Sequence, residues 1–321
     1  MNIVKYLDNL RSPSDGSNLK LHADRLIDES GNIFPIINEI PRFVEEDNYA
    51  DTFGYQWNLF DTVQLDRFNK NDISTDRFFS DTGWNAELLI NKKLLEVGSG
   101  AGRFSEVLLK TDVNLFSIDY SNAVEANWKN NKDINDFFLA QANIYKLPFK
   151  TLNFDFIFCF GVIHHTPDPR GSFISMVEHL KKGGQIAIDV YPKNWKSIFF
   201  SKYWIRPITK RMNKTVLLKL VKWYVPKWFP ISTLLFKIPF IGRTLGLQLI
   251  PILNYTYLYP ELSKKELIEW AILDTFDMLS PAYDNPQSLK TLRKWATDAN
   301  LKILFCGEGV NGYVLVAEKQ S

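Results

Sequence analysis

From residue 93 onward, short apolar runs alternate with segments whose apolar residues recur at helical spacing. The runs at 94–98, 114–119, 137–142, 154–161 and 185–191 have the length of strands and little polar alternation, which predicts strands buried on both faces. Between them, 103–110, 122–129 and 170–181 predict helices. This succession argues for an α/β fold, with a parallel sheet covered on both sides. Farther on, 263–275 predicts a helix capped by Ser263, with Glu266 three residues later completing a capping box. Another helix is predicted at 287–299, and two last strands, 301–306 and 312–318, form a hairpin through Gly309 and Asn311. At the other end, 8–44 reads as short strands and turns punctuated by Pro13, Gly16, Gly31, Pro35 and Pro41, and the polar stretch 45–51 as a linker.

The chain has 321 residues, 45 % hydrophobic and 23 % charged, which suits a globular protein and excludes a disordered or collagen-like one. Its two cysteines, Cys159 and Cys306, exclude a disulfide scaffold and a multi-cysteine metal site. With no apolar leader pattern in residues 1–10, a cytoplasmic location is expected. The formal net charge of +2 conceals a division. Residues 190–260 hold nine Lys, three Arg and no acid, together with 15 of the 46 aromatic residues, while the remainder carries 26 basic and 36 acidic residues. A basic, aromatic segment is thus set inside an acidic chain.

The stretch richest in chemistry runs Leu94-Leu-Glu-Val-Gly-Ser-Gly-Ala-Gly-Arg103. Glycines at 98, 100 and 102 let the backbone turn tightly and approach a ligand, which then meets N–H groups at a helix start. A dinucleotide fingerprint would need glycine where Arg103 stands, so pyrophosphate is disfavoured. Asp119 ends the second predicted strand and can accept hydrogen bonds from a ribose diol. Together these features suit an adenosine ligand without a pyrophosphate.

In these residues the chain resembles the class I S-adenosylmethionine-dependent methyltransferases, in particular the broad small-molecule group called type 11, over about 49–191 and again from 260 to the end. The resemblance implies a Rossmann-like seven-stranded, mostly parallel sheet with a closing antiparallel hairpin. It divides the chain into a small N-terminal β module (1–47), a methyltransferase core (48–192 and 261–321) and an inserted helical lid (193–260). It also implies S-adenosyl-L-methionine as cofactor. Glu96, Gly98, Ser99, Gly100 and Gly102 would lie along its methionine and ribose, Asp119 on the ribose and Tyr120 beside the adenine. The family places an acid near the adenine amino group; here Asn143 stands there, between Ala142 and Ile144, so that contact becomes neutral. Gly161 matches the end of the fourth strand, which faces the sulfonium. Residues 53–60 often fold over the cofactor in this family, which makes Tyr55, Gln56 and Trp57 cofactor-side candidates; a helix packed on the sheet is the competing reading. The N-terminus resembles a small zinc-ribbon module closed by 33–43. Its metal knuckles would fall at Ser12, Asp15, Ile27 and Ser30, so no metal is expected.

Gly161-Val-Ile-His-His-Thr-Pro-Asp-Pro169 follows the fourth predicted strand, where open α/β sheets present their ligands. Methyl transfer demands in-line alignment, and a hydroxyl acceptor must also lose its proton, for which histidine is suited. His165 and His164 are the candidate bases, with Asp168 as orienting partner; stabilising the loop is the competing role. Tyr283 and Asp284, in a Ser-Pro-Ala-Tyr-Asp loop, are candidates for binding the acceptor. In the insertion, prolines at 207, 226, 230, 239 and 251 predict short helices, and interrupting charges argue against a spanning helix. It reads as a structural cap, as a lid for an anionic acceptor, or as a surface docked peripherally on a membrane. No nucleic-acid partner is expected. The expected reaction is methylation of a hydroxyl or amino group on a small molecule such as a sugar or glycoconjugate precursor. A quinone-like or lipid-linked acceptor, and a non-catalytic cofactor-binding subunit, are the alternatives.

Overall fold

The computed structural model describes residues 1–44, 48–194 and 199–320, without the Arg243 side chain; positions 45–47 of the expected linker lie outside the described residues. The chain forms two compact units, Met1–Pro192 with Tyr283–Ser321, and Lys193–Ala282.

In the first unit, β1 (Leu19–His22), β2 (Arg25–Asp28), β3 (Ile33–Ile37) and β4 (Ile40–Pro41) make a small antiparallel sheet in sequential order. The large sheet contains β5 (Lys93–Val97), β6 (Asn114–Asp119), β7 (Phe138–Gln141), β8 (Phe154–Cys159), β9 (Leu180–Val190), β10 (Leu301–Glu308) and β11 (Tyr313–Lys319). Their spatial order is β10-β11-β9-β8-β5-β6-β7. Strands β5 to β9 pair in parallel, and β11 enters antiparallel between β9 and β10. This is the seven-stranded Rossmann-like sheet with a closing hairpin. Strand order reverses at β5, so the loops after β5 and β8 open side by side on a crevice at the carboxyl edge.

Alternation within the strands sorts the core into two layers. Leu95, Val97, Phe116 and Ile118 face one layer, and Leu94 and Leu115 face the other, with Phe104, Val107 and Leu108 of helix Arg103–Leu108. Helix Pro169–His179 stops two residues earlier than expected, because β9 starts directly at Leu180. The N-terminal segment is part of the first layer. Tyr6 packs its ring 5.4 Å from Phe116 and 5.5 Å from Phe138, and Phe43 N–H donates to Gln141 O at 2.8 Å, which covers the sheet edge at β7. In the small sheet's turns, Ser12 Oγ donates to Asp28 at 2.7 Å and Ser30 Oγ to Asp15 at 2.6 Å. Hydroxyl and backbone donors from Ser17 and Ser30 bring the Asp15 carboxyl down to about 2.

The second unit contains helices Ser201–Thr209, Lys214–Phe236, Gly242–Leu249 and Lys264–Leu279. Two expectations are corrected here. Lys214–Phe236 runs unbroken for 23 residues through Pro226 and Pro230. Both prolines, and Lys222, are exposed, so the carbonyls left without helical donors, those of Lys222 and Pro226, lie on the wet side of the helix. Helix Lys264–Leu279, with the expected capping box at Ser263 and Glu266, belongs to this unit and not to the sheet-bearing one. Its apolar face, including Leu267, Trp270, Ala271 and Leu273, is fully buried and packs on Lys214–Phe236. Among the described residues, no helix is long and apolar enough to cross a membrane.

Candidate functional site

The crevice begins at the turn after β5. Gly98 adopts φ +81°, and a Cβ there would stand 2.2 Å from Val162 of the loop after β8, so the two loops touch because this residue has no side chain. At Gly102, φ is +86° and a Cβ would meet the Asn131 and Asn127 side chains, where helix Arg103–Leu108 starts. Asp119 ends β6 and binds this turn: Gly100 N–H donates to Oδ2 at 2.9 Å, while Ser121 N–H and Oγ–H donate to Oδ1 at 2.8 and 2.7 Å. Burial pushes the Asp119 carboxyl up, and these donors pull it back down.

Glu96 takes a different part from the one the resemblance implies. Strand alternation turns it away from the crevice, onto the face it shares with its register partner Ser117. There its Oε2 accepts from Ser105 Oγ at 2.5 Å and Ser117 Oγ at 2.8 Å, which clamps β5 and β6 to the following helix. Burial pushes its carboxyl up to about 7 against the pull of both hydroxyls.

Tyr120 lies beside Tyr49 (ring centroids 4.9 Å), which in turn meets Tyr283 edge-on at 5.4 Å. Asn143 accepts from Tyr145 N–H at 2.9 Å and shapes its own turn, between Ala142 and Ile144, whose side chains belong to the core. Residues 53–59 lie in helix Asp51–Leu59, the form that the competing reading expected. Gly54 lets the helix pack on Asn122, Gln56 is buried, Tyr55 is half-buried, and the Trp57 ring lies 3.2 Å from where a Cβ of Gly100 would stand.

After β8, Gly161 has φ +75° with nothing within 4 Å of a would-be Cβ, so open space lies before it. Its N–H donates to Asp189 Oδ1 at 2.5 Å, and Asp189 Oδ2 accepts from Arg77 at 2.5 Å. His164 and His165 then form a short 3-10 turn, both buried, with rings 4.3 Å apart. His164 lies against Tyr191 at 3.9 Å, and Phe53 is 5.1 Å from His165. His165 Nδ1 lies 3.0 Å from Tyr283 O, a carbonyl, so Nδ1 carries the proton in this bond and the neutral ring is basic at Nε2. The loop is laced to the C-terminal segment: Asn285 N–H donates to His164 O at 2.7 Å and its amide to Thr166 O at 2.8 Å. The structure therefore brings His164, His165, Tyr283 and Asp284 together.

Asp168 is corrected. It is exposed, starts helix Pro169–His179 and exchanges backbone hydrogen bonds with Tyr145 Oη, while the orienting acceptor for His165 is the Tyr283 carbonyl. Sequence reasoning missed Asp189, Arg77, Tyr49 and Asn285. Asp189 had a signal: a lone acid inside the apolar run 185–191 must be paired if buried.

The residues present fit S-adenosylmethionine. Ser99 Oγ is buried in the glycine turn with no hydrogen-bond partner among the described residues, the backbone turns sharply at a helix start, and the space before Gly161 is open.

Residues 95–188 match the family model described as Methyltransferase domain. The chain is 28 % identical over 116 residues to the ubiquinone biosynthesis O-methyltransferase of Coxiella burnetii, covering 35 % of this chain and 49 % of that protein. It is 26 % identical over 138 residues to the tRNA U34 carboxymethyltransferase of Nautilia profundicola, covering 39 % of this chain and 46 % of that one. The chain thus spans about half the length of the curated relatives it matches. Among solved structures it is similar to a putative S-adenosyl-L-methionine-dependent methyltransferase from Methanococcus maripaludis, at 12 % identity and a TM-score of 0.46, covering 87 % of this chain and 97 % of that one. Residues 95–188, which supply the glycine turn, Asp119 and the two histidines of the crevice, are thus a methyltransferase domain.

Proposed function

We propose that the whole chain transfers the methyl group of S-adenosylmethionine to a hydroxyl or amino group of a small molecule. The observation that carries this reading is His165, buried at the crevice with Nδ1 tied to the Tyr283 carbonyl. When bound, the cofactor supplies an electrophilic methyl on its sulfonium. The glycine turn and Asp119 would hold its methionine and ribose, Tyr120 and Asn143 would flank the adenine, and Ser99 Oγ would gain a partner. His165 Nε2 takes the acceptor proton, and Tyr283 O stabilises the charged ring that results. Phe53, Trp57 and Tyr49 exclude water.

The rings about His165 favour a flat, quinone-like acceptor over a sugar, since polar sugar hydroxyls gain little from Phe53 and Tyr191. The similarity to an enzyme of ubiquinone biosynthesis points the same way. Calorimetry with S-adenosylhomocysteine tests the cofactor half: wild type binds and Asp119→Ala loses about tenfold or more in affinity, as expected for a lost charge-assisted contact. No binding to wild type overturns the reading.

A further inference from the structure

The helical unit turns apolar side chains outward in an unusual way. Fifteen of the twenty-eight exposed large apolar residues among the described residues lie within 199–258, including all three exposed tryptophans. In Lys214–Phe236, one stripe is buried: Leu217, Leu218, Val221, Val225 and Phe229. A second apolar stripe, Val216, Leu220, Trp223, Ile231 and Leu234, recurs at helical spacing on the opposite side and is exposed, Leu234 by 68 %. Lys227 falls within this stripe and sits 4.0 Å over the Trp223 ring. In Ser201–Thr209 the usual polarity is inverted. Arg206 and Thr209 point inward, capping the Met278, Leu279 and Pro281 carbonyls at 2.9 Å, while Trp204 and Ile208 point out, 72 % and 69 % exposed. The loop Ile238-Pro-Phe-Ile241, just beyond Leu234 in the chain, adds Phe240, fully exposed at φ +63°.

We propose that this unit docks on an anionic lipid bilayer, seating Trp204, Trp223, Leu234 and Phe240 among the headgroups and upper acyl chains. Charge selects this occupant. The unit 193–282 carries fourteen cations against five acids, an excess that remains when the buried Arg206 and Lys202 are set aside; it complements anionic headgroups, whereas two copies of the unit would repel each other across a dimer interface. Tryptophan rings and lysine stems suit the lipid–water boundary, where one end is wet and the other apolar. Since no described helix can span, the attachment lies in the plane of the surface. The proposal does not depend on the acceptor or on methyl transfer.

Flotation of the full chain tests it, with vesicles of phosphatidylcholine alone and of phosphatidylcholine with phosphatidylglycerol. The protein is expected to float with the anionic vesicles only, and added salt to weaken binding about tenfold or more. Phe240→Asp and Leu234→Asp should each reduce binding by about tenfold. Aspartate tolerates the left-handed backbone at 240, so the first variant keeps its fold, which circular dichroism verifies. Three results overturn the proposal: no flotation at low salt, undiminished flotation of both variants, or light scattering that shows a dimer split by Leu234→Asp in a protein that ignores vesicles. Cofactor calorimetry reads the methyltransferase assignment separately.

Discussion

Two buried residues, His165 and Glu96, do unlike work. His165 is built to accept a proton, because a carbonyl that cannot change its charge fixes the tautomer. His165→Gln is therefore expected to lower turnover by about 100-fold or more while cofactor affinity stays within about twofold. Tyr283→Phe should leave the base intact, since only the backbone of 283 holds it. Equal turnover in His165→Gln and wild type would assign the ring to loop packing alone. Glu96 is a structural acid with a cost. Its folded value, about 7, lies above its ordinary 4.5, chiefly through burial and secondarily through Asp119. Between those values the native state keeps a proton the unfolded chain has released, so stability falls as pH rises across that window and stays lost above it, by ~3 kcal/mol in all. Glu96→Gln keeps an acceptor for Ser105 and Ser117 and has nothing to titrate. Its melting temperature should drop less than wild type between pH 5 and pH 8; parallel curves would refute the assignment.

At the level of elements, the loops after β5 and β8 are set by steric and electrostatic fit to each other. Gly98→Ala drives a methyl into Val162 and adds left-handed strain, together costing about 2 kcal/mol or more. Val162→Ala in the same chain should recover the clash but not the ~1 kcal/mol of backbone strain, and a double-mutant cycle of urea melts measures the division. The Gly161 turn hangs on Asp189, whose carboxyl burial pushes up and Arg77 pulls down. Arg77→Met leaves a buried unpaired carboxylate and should cost about 3–5 kcal/mol at pH 8, less at pH 5, because Asp189 can then take a proton and shed its charge. All seven strands of the large sheet were legible from short, mostly apolar runs, and the crevice from glycines between a strand and a helix. Less legible were contacts between distant elements. Arg77 lies 112 residues from Asp189 and carries no local sign of its partner. Asp168 looked like an orienting acid because it follows His165 by three residues, yet the chain turns into a helix there and removes it. Pro226 and Pro230 misled because both stand on the exposed side of the helix, where the carbonyls they strand can turn toward water and the penalty is smaller than in a buried interior.

At the scale of the whole molecule, the two units differ in what holds them. The 1–44 segment is not a detachable module, since Ile3, Tyr6, Leu10 and Phe43 share one core with Phe116, Phe138 and Ile157 of the sheet. The helical unit has its own core, with Leu217, Val221 and Val225 on one helix and Trp270 and Leu273 on another. Calorimetric scans can separate them. Tyr6→Ala empties a ring-sized space between two phenylalanines and should lower the transition of the sheet unit by about 3 kcal/mol, although residue 6 lies far from the glycine turn in sequence. S-adenosylhomocysteine at a hundredfold excess over its dissociation constant should raise that same transition by about 2.7 kcal/mol, since ligand stabilises only the unit that binds it. Val225→Ala should instead lower a transition that the ligand leaves in place. If Tyr6→Ala left the ligand-sensitive transition untouched, the N-terminal segment would have to fold apart from the sheet, and the shared core would not be what stabilises the cofactor crevice.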